Sequence, residues 1–382
     1  MIVKTKELLK SVSRMIGKED IQLMVMKDAK MGVMAMTDVQ SGIQVQSKLS
    51  IENIEEDYEF YLPSAIKNPI NAISQYAKEE LELHPGAGTL VVSSEKSAKI
   101  KLSLLSEEPK YIKIKNGIEG FQINGEAFSF AMNEIASLDG KIVFEADSNT
   151  IDIFGITGIR VMKTSVKVHG YINEKENIEE EKVVKKSEDK LIFSISSNIW
   201  KKISGIFSKE FQTLHVANGQ LKFMSNDMAI IIPMENLLDK NASGVFDSIW
   251  NCGNSFEVAA ANCSDVFNAL SVAVLEETTD KAKVTVIAKD SSLKFKTLCG
   301  SAVVNISSIE QEWIGTFNGK LLKEFYGNLR KCSKPVMYLT VDKGGNTFKS
   351  MVKKEFEYFA DEDSDRTETE LVEIRYILCP IN

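Results

Sequence analysis

The sequence has few of the residues that build disulfide frameworks, metal centres or membrane spans. Its 382 residues include five cysteines, an odd number with no Cys-x-x-Cys pair, and three histidines without metal-ligand spacing. A disulfide framework and a zinc site are therefore excluded. No apolar run reaches the roughly 18 residues that a membrane span needs, and the first residues lack the apolar core of a signal peptide. We expect a cytoplasmic protein with free, mostly buried thiols.

Residues in catalytic arrangements are also scarce. The three histidines lie far apart, and paired acidic residues fall in polar stretches where neither burial nor a fixed partner would tune a pKa. The segment 315–320 resembles a phosphate-binding loop, but it is one spacer residue short and is followed by Leu321 instead of Ser or Thr. We therefore predict that the protein is not an enzyme, and that it uses no cofactor and no metal.

Six segments with apolar residues at helical spacing recur along the chain. They begin at residues 6, 64, 127, 198, 264 and 319, which are 55 to 71 positions apart. Between them apolar and polar residues alternate, which predicts half-buried strands, at 43–46, 99–104, 111–115, 150–154 and 293–296. One helix with a few strands is too small to bury a sheet alone. We therefore expect an α+β fold of three tandem domains, each with two helices packed on antiparallel sheets.

Pairing the six units places the domains at 1–112, 113–245 and 246–382, with connectors at 110–117 and 240–254. Two polar runs, 171–190 and 355–373, interrupt the pattern, and the second holds nine acidic residues and one arginine. Such runs are typical of solvated loops or hairpin extensions, and a specific acidic docking surface is the alternative.

Basic residues are concentrated on the helical segments. The formal net charge of the chain is -8, but four helical segments together carry +13, so the remainder carries -21. Plain solvent exposure of lysine is one explanation. A basic face on an acidic body is the other, and it is typical of contact with DNA phosphates without reading of bases. The residues predicted to face double-stranded DNA are Lys6, Lys10, Arg14, Lys67, Lys78, Lys201, Lys202, Lys209, Lys320, Lys323, Arg330 and Lys331.

The order of these features resembles the bacterial-type DNA polymerase III sliding clamp, the beta subunit. Four short segments support the resemblance: 157–161 after a strand, Pro233 followed by Leu237 and Leu238, 317–325 at the start of a helix, and the closing run 375–382. Ile159 stands where the family has His, Cys379 stands where it has Met, and the Pro usual after the strand 336–342 is missing. These departures favour a divergent member of the family, of the kind that a phage or mobile element could encode.

The resemblance implies a processivity factor that encircles duplex DNA and tethers the replicative polymerase. It also implies a head-to-tail homodimer, in which the first domain meets the third domain of the partner and a ring closes. A pocket between the second and third domains would bind short peptide motifs of the polymerase and the clamp loader. By the resemblance its residues are Leu138, Ile156, Gly158, Ile159, Val161, Pro233, Leu238, Leu378, Pro380 and Ile381.

Two alternatives stay open at the level of the sequence. The aliphatic residues assigned to the pocket could be ordinary core residues. The whole chain could be a non-enzymatic multi-domain scaffold or phage structural protein, in which the basic helices are plain surface.

Overall fold

The structure is a computed structural model of the chain. It describes residues 1–16, 19–77, 79–94, 98–107, 117–173, 185–187, 190–217, 219–237, 241–274, 283–298, 300–309, 311–341, 346–359 and 367–381. These residues divide into two compact units, which are described separately: unit 1 comprises 1–125, 169–183 and 201–235, and unit 2 comprises 126–168, 184–200 and 236–382.

The described residues form seven α-helices and one 3-10 turn, Ser64–Ile66. The helices are α1 (Thr5–Arg14), α2 (Lys67–Ser74), α3 (Gly125–Ala136), α4 (Ser197–Ile203), α5 (Ala242–Trp250), α6 (Cys263–Ala273) and α7 (Gly319–Asn328). Three of them start with an asparagine cap, because Asn241, Asn262 and Asn318 each accept a hydrogen bond from a backbone N–H three residues on. None of the helices in the described ranges combines the length and the apolar composition that a membrane span requires.

The strands fall into three antiparallel sheets. They are β1 (Ile2–Lys4), β2 (Ile21–Met26), β3 (Met31–Asp38), β4 (Ile43–Glu52), β5 (Tyr58–Leu62), β6 (Glu80–Gly86), β7 (Thr89–Ser93), β8 (Lys99–Ser103), β9 (Gly117–Asn124), β10 (Lys141–Ala146), β11 (Thr150–Thr157), β12 (Arg160–Lys167), β13 (Gly170–Asn173), β14 (Lys185–Ser187), β15 (Lys190–Ser196), β16 (Phe211–Ala217), β17 (Gln220–Met224), β18 (Met228–Pro233), β19 (Asn254–Ala259), β20 (Lys283–Lys289), β21 (Ser292–Lys296), β22 (Ser301–Asn305), β23 (Trp313–Asn318), β24 (Ser333–Val341), β25 (Thr347–Phe359) and β26 (Thr367–Leu378).

Unit 1 is built on a sheet of thirteen described strands, with the main order β13-β9-β16-β17-β18-β4-β1-β6-β7-β8. Strand β4 shows why the sequence forms this sheet, because polar and apolar residues alternate in its second half. Lys48, Ser50 and Glu52 are exposed, whereas Leu49 and Ile51, like Val45 before them, are buried. Helix α1 buries Leu8 and Val12 and packs on β4 and on α2. Apolar spacing at helical period therefore fixes α1 on the sheet.

Unit 2 contains a nine-stranded sheet, β14-β15-β10-β11-β12-β26-β25-β24-β19, and a four-stranded sheet, β22-β21-β20-β23. Helices α6 and α7 pack on each other. Helix α3 contacts α4 through Trp200, whose indole N–H donates to Asn133 at 2.8 Å. These pairs agree with the expectation of paired helices over antiparallel strands.

All six predicted helices are present, within a few residues of their expected starts. The expected connector 240–254 is wrong in one respect, because it contains helix α5. The run 355–373 is a hairpin extension as predicted, since β25 and β26 pair out to Phe359 and Thr367. The predicted strand 111–115 lies outside the described residues, and the three-domain boundaries stay a prediction.

The described cysteines are free, but only half of them are buried. Cys263 and Cys332 are buried, Cys379 is half-buried and Cys252 is exposed. Burial raises the pKa of the Cys263 thiol to about 12. The expectation of mostly buried thiols is therefore corrected for Cys252, and Cys299 lies outside the described residues.

Candidate functional site

The basic residues of α1 differ in how accessible they are. Lys6 and Lys10 are exposed, whereas Arg14 is only 7% exposed. The Arg14 guanidinium lies 2.9 Å from a carboxylate oxygen of Asp227, and the Lys10 ammonium lies 2.7 Å from the same oxygen. Arg14 also donates to the hydroxyl of Ser47 at 3.1 Å. The expectation that Arg14 faces DNA is therefore corrected, because its charge is buried and paired.

Asp227 holds this network together from the turn between β17 and β18. Burial would raise the pKa of its carboxyl, but the hydrogen bonds and charges of Arg14 and Lys10 lower that pKa to about 2. The carboxylate is thus ionised across the physiological range. It fixes the C-terminal half of α1 to the sheet of unit 1.

Lys67, another residue predicted to face DNA, is not fully exposed either. It is half-buried at the start of α2 and donates a hydrogen bond to the carbonyl of Met15. Burial lowers the pKa of its ammonium. Lys78 lies outside the described residues.

The basic residues at α4 are exposed in unit 1. Lys201, Lys202 and Lys209 all lie at the surface, and the Lys202 ammonium is 3.1 Å from Asp38. Burial would raise the pKa of Asp38, but hydrogen bonds from Ser41 and Lys202 lower it overall. Lys202 therefore has a local counter-charge.

The basic residues of α7 surround an aromatic ring of α6. The Arg330 guanidinium lies 4.4 Å from the ring centre of Phe267, and the Lys323 ammonium lies 6.0 Å from it. Lys320, Arg330 and Lys331 are exposed, whereas Lys323 is half-buried. Cation–π contact orients two of these charges beside α6.

Three neighbouring strands of unit 2, β11, β12 and β26, bring several of the predicted pocket residues together. Ile156 pairs with Val161 across the β11–β12 hairpin, and Arg160 pairs with Leu378 between β12 and β26. Beyond β26 the tail stays attached, because the N–H of Cys379 donates to the carbonyl of Ile159 at 2.9 Å. The N–H of Ile381 donates to Thr316 at 3.0 Å. These two hydrogen bonds hold the C-terminal residues 379–381 against unit 2.

Burial separates these residues into two groups. Leu138, Val161 and Leu378 are buried, as the alternative of ordinary core residues requires, and their part in a partner-peptide pocket stays a prediction. Ile156, Ile159, Pro380 and Ile381 are half-buried, and Gly158 is exposed. Pro233 belongs to unit 1, where it is half-buried against Gly42. Leu238 lies outside the described residues.

Helix α5 packs against Val161 and helps to bury it. Ala242 and Phe246 of this helix form a buried cluster with Val161, Phe154 and Ile377. The rings of Phe246 and Phe154 meet edge to face at 6.3 Å. These helix residues were missed at the sequence level, although apolar residues at 242, 246, 249 and 250 have helical spacing after a capping asparagine.

Lys349 of β25 stabilises the C-terminal end of α5. Lys349 is 1% exposed, and its ammonium donates to the carbonyls of Trp250 at 2.8 Å and Cys252 at 3.0 Å. A cation at a helix C-terminus is favourable because carbonyl oxygens there lack helical partners. Trp250 is half-buried between Phe246 and Tyr338, with the Arg375 guanidinium 5.4 Å from its ring.

Two strands lie at the edges of their sheets. Strand β8 ends the sheet of unit 1, and β22 ends the four-stranded sheet of unit 2. The side chain of Val303 on β22 is exposed, and that of Leu298, between β21 and β22, is fully exposed. Edge strands with apolar neighbours can pair with a strand of another chain.

No group of residues suited to holding a metal ion occurs among the described residues.

Solved structures resemble this chain over its full length. The DNA polymerase sliding clamp of Pseudomonas aeruginosa matches with a TM-score of 0.75 at 10% sequence identity, over 100% of this chain and 99% of that one. The beta clamp of Helicobacter pylori matches with a TM-score of 0.75 at 12% identity, over 100% and 99%. The same clamp bound to a DNA ligase peptide matches with a TM-score of 0.72 at 12% identity, over 100% of both chains.

No protein-family model and no curated protein matches the sequence. The structural similarity nevertheless extends from one end of the chain to the other. The chain therefore has the fold of bacterial DNA polymerase sliding clamps, which confirms the predicted α+β fold class.

Proposed function

We propose that the protein is a DNA sliding clamp, a processivity factor that encircles duplex DNA and tethers a replicative polymerase. The observation that carries this proposal is the full-length similarity to solved clamps, with TM-scores of 0.72 to 0.75 at only 10 to 12% identity. In this role the chain is an accessory protein and not an enzyme. Its place of action is the compartment that holds the DNA, which we take to be the cytoplasm.

Retention on circular DNA tests the function. The protein is incubated with a nicked plasmid and a clamp loader, washed in high salt, and then treated with a restriction enzyme that cuts the plasmid once. A clamp stays on the circle in high salt because its topology, and not its phosphate contacts, holds it there. It leaves when the DNA acquires ends. Loss in high salt before cutting, or retention after cutting, would contradict the proposal.

Exposed helical lysines are the proposed contacts to the DNA backbone, with Lys6 on α1 and Lys201 on α4 in unit 1. Reversing Lys6 and Lys201 to Glu should weaken DNA binding and lower the salt slope by roughly 0.9 for each phosphate that is no longer neutralised. The matched control reverses Lys27 and Lys289, which are exposed outside the helices. Equal effects of both double variants would assign the DNA contact to overall charge and not to the helices.

The two edge strands are the proposed dimer contacts, with β8 of one protomer pairing with β22 of its partner. Val303→Glu on β22 should convert the dimer to a monomer in sedimentation, since it places a charge in a strand-pairing surface. Ile314→Glu is the control, because Ile314 is similarly exposed on β23 at the other edge of the same sheet. A monomeric native protein at micromolar concentration would overturn this arrangement.

The half-buried residues beside the C-terminal tail are the proposed docking site for partner peptides. The Helicobacter pylori clamp has been solved with a DNA ligase peptide, and a ligase or polymerase peptide is the probe we would use here. Deleting residues 379–382 should weaken its binding more than tenfold, because in this proposal the tail supplies one apolar wall of the site to the peptide. Val341→Ala, an exposed apolar residue on β24, is the control. Unchanged affinity after the deletion would place the peptide elsewhere.

A further inference from the structure

Unit 1 contains a cleft that none of the functions above requires. Its volume is about 490 Å³, and four segments line it: α1, the β2–β3 turn, β4 and the β17–β18 turn. Sites for small ligands commonly have volumes of roughly 300 to 1,000 Å³. The cleft is therefore large enough for a small molecule but far too small to enclose a duplex.

The charges of the cleft favour an anion. Its lining holds four cations, Lys10, Arg14, Lys30 and Lys48, against two carboxylates, Glu7 and Asp227. Both carboxylates already have partners within the fold. Asp227 pairs with Lys10 and Arg14, and Glu7 accepts the N–H of Ser50 at 2.9 Å.

Lys30 and Lys48 carry the surplus positive charge. Among the described residues neither forms an ion pair with a carboxylate, and both side chains are exposed. Serine and asparagine side chains complete the wall, with Ser11, Ser50 and Asn226. Such a lining offers ammonium, hydroxyl and amide donors to an anion.

The backbone holds both lysines at fixed positions. Lys30 has a φ of 48°, in the left-handed region. Its N–H donates to Lys27 at 3.1 Å, and its carbonyl accepts the N–H of Ile51 at 3.2 Å. Lys48 donates its N–H to the carbonyl of Asp227 at 2.9 Å. The left-handed conformation suits glycine better than lysine. We therefore infer that Lys30 is present for the positive charge of its side chain and not for the conformation of the turn.

We propose that this cleft binds a phosphate-bearing anion through Lys30, Lys48 and Lys10, above the buried Arg14. The recognised group is a short run of phosphates, as in an inorganic polyphosphate, a nucleoside polyphosphate or a segment of nucleic-acid backbone. The proposal does not depend on the ring or on the clamp function. Multiple negative charges on one ligand match several cations in one cleft, which a single chloride or acetate would not.

Calorimetric titration with inorganic tripolyphosphate tests the proposal, at low ionic strength and without divalent cations. We expect saturable binding to the native protein and at least tenfold weaker binding to the double variant Lys30→Gly, Lys48→Gln. Lys30→Gly also relieves the left-handed backbone, so this variant should fold at least as well as the native chain. The unfolding temperatures of the double variant and the native protein, measured without ligand, show whether the variant folds as well as expected.

The matched control is the double variant Lys27→Gln, Lys289→Gln. It removes two exposed lysines, one from the same β2–β3 turn and one from β20 of unit 2, but neither residue lines the cleft. It should bind tripolyphosphate with native affinity. The absence of saturable binding to the native protein would overturn the proposal, and so would equal weakening in both double variants.

Competition distinguishes the source of the phosphates. A 20-base-pair duplex that displaces tripolyphosphate from the native protein would assign the cleft to nucleic-acid backbone. ATP that displaces it when the duplex does not would assign the cleft to a free polyphosphate. Both results support a phosphate site. A native protein that is retained on circular DNA but does not bind tripolyphosphate would refute the cleft proposal while leaving the clamp function intact.

Discussion

Replacing Glu134 by Gln should stabilise the protein, and more so as the pH rises. Glu134 lies on α3 and is 6% exposed. In the described structure its Oε2 accepts no hydrogen bond. Burial raises the pKa of this carboxyl from an ordinary 4.5 to about 7, although a hydrogen bond from Asn328 and the charge of Lys354 act in the opposite direction. Lys354 is itself fixed between two aromatic rings, each with its centre 4.6 Å away.

The sign of the effect follows from the direction of the shift. Because the pKa of Glu134 is higher in the folded protein than in the unfolded chain, folding favours the protonated form. Its contribution to stability is complete below about pH 4.5 and is lost as the pH rises through about 7. A glutamine mimics the protonated acid at every pH. The stability gap between Glu134→Gln and the native protein should therefore widen by about 2 kcal/mol between about pH 5.5 and pH 8.5.

Denaturant unfolding at the two pH values, followed by circular dichroism, measures that gap. Glu126→Gln is the control, because Glu126 is exposed on the first turn of the same helix. Its effect on stability should be the same at both pH values. A gap for Glu134→Gln that does not change between them would rule out this explanation, since it would mean that the buried carboxyl does not titrate in this range.

Two further predictions concern packing inside the units, one in each. Asp227→Asn should destabilise the protein by about 2 kcal/mol in denaturant unfolding, because it leaves the buried Arg14 without its counter-charge. The native protein should also lose the contribution of Asp227 as the pH falls towards about 2, the pKa of its carboxyl, while the variant should not. Phe246→Ala should cost about 3 to 5 kcal/mol in the same assay, because it opens a cavity in the core beneath α5. Destabilisation below about 1 kcal/mol would show that α5 does not pack as described.

Local periodicity was enough to predict six of the helices. The six helices follow from apolar spacing, which depends on neighbouring residues only. The polar composition of 355–373 left open a loop or a hairpin extension, and the pairing of β25 with β26 shows the hairpin. Helix α5 was missed because a short stretch between two predicted domains was interpreted as a connector. Its Asn241 cap and the spacing of Ala242, Phe246 and Trp250 would have revealed it.

The functional surfaces could be predicted only in part, because exposure depends on residues far away in the chain. Arg14 has the spacing of a surface residue on a basic helix, but its partner Asp227 lies 213 positions further on. Val161 was assigned to the partner-peptide pocket by resemblance, but it packs in a buried cluster with Phe246. No local pattern reports such long-range pairs. Charge counts therefore predict that a basic surface exists better than they predict which residues form it.

Cryo-electron microscopy of the protein bound to duplex DNA would show whether the chain encircles DNA. We expect a closed ring of two protomers, with the duplex passing through its centre and the exposed helical lysines turned towards it. A duplex lying along the outside of the particle, or a particle without a central hole, would contradict the assignment of this chain as a sliding clamp.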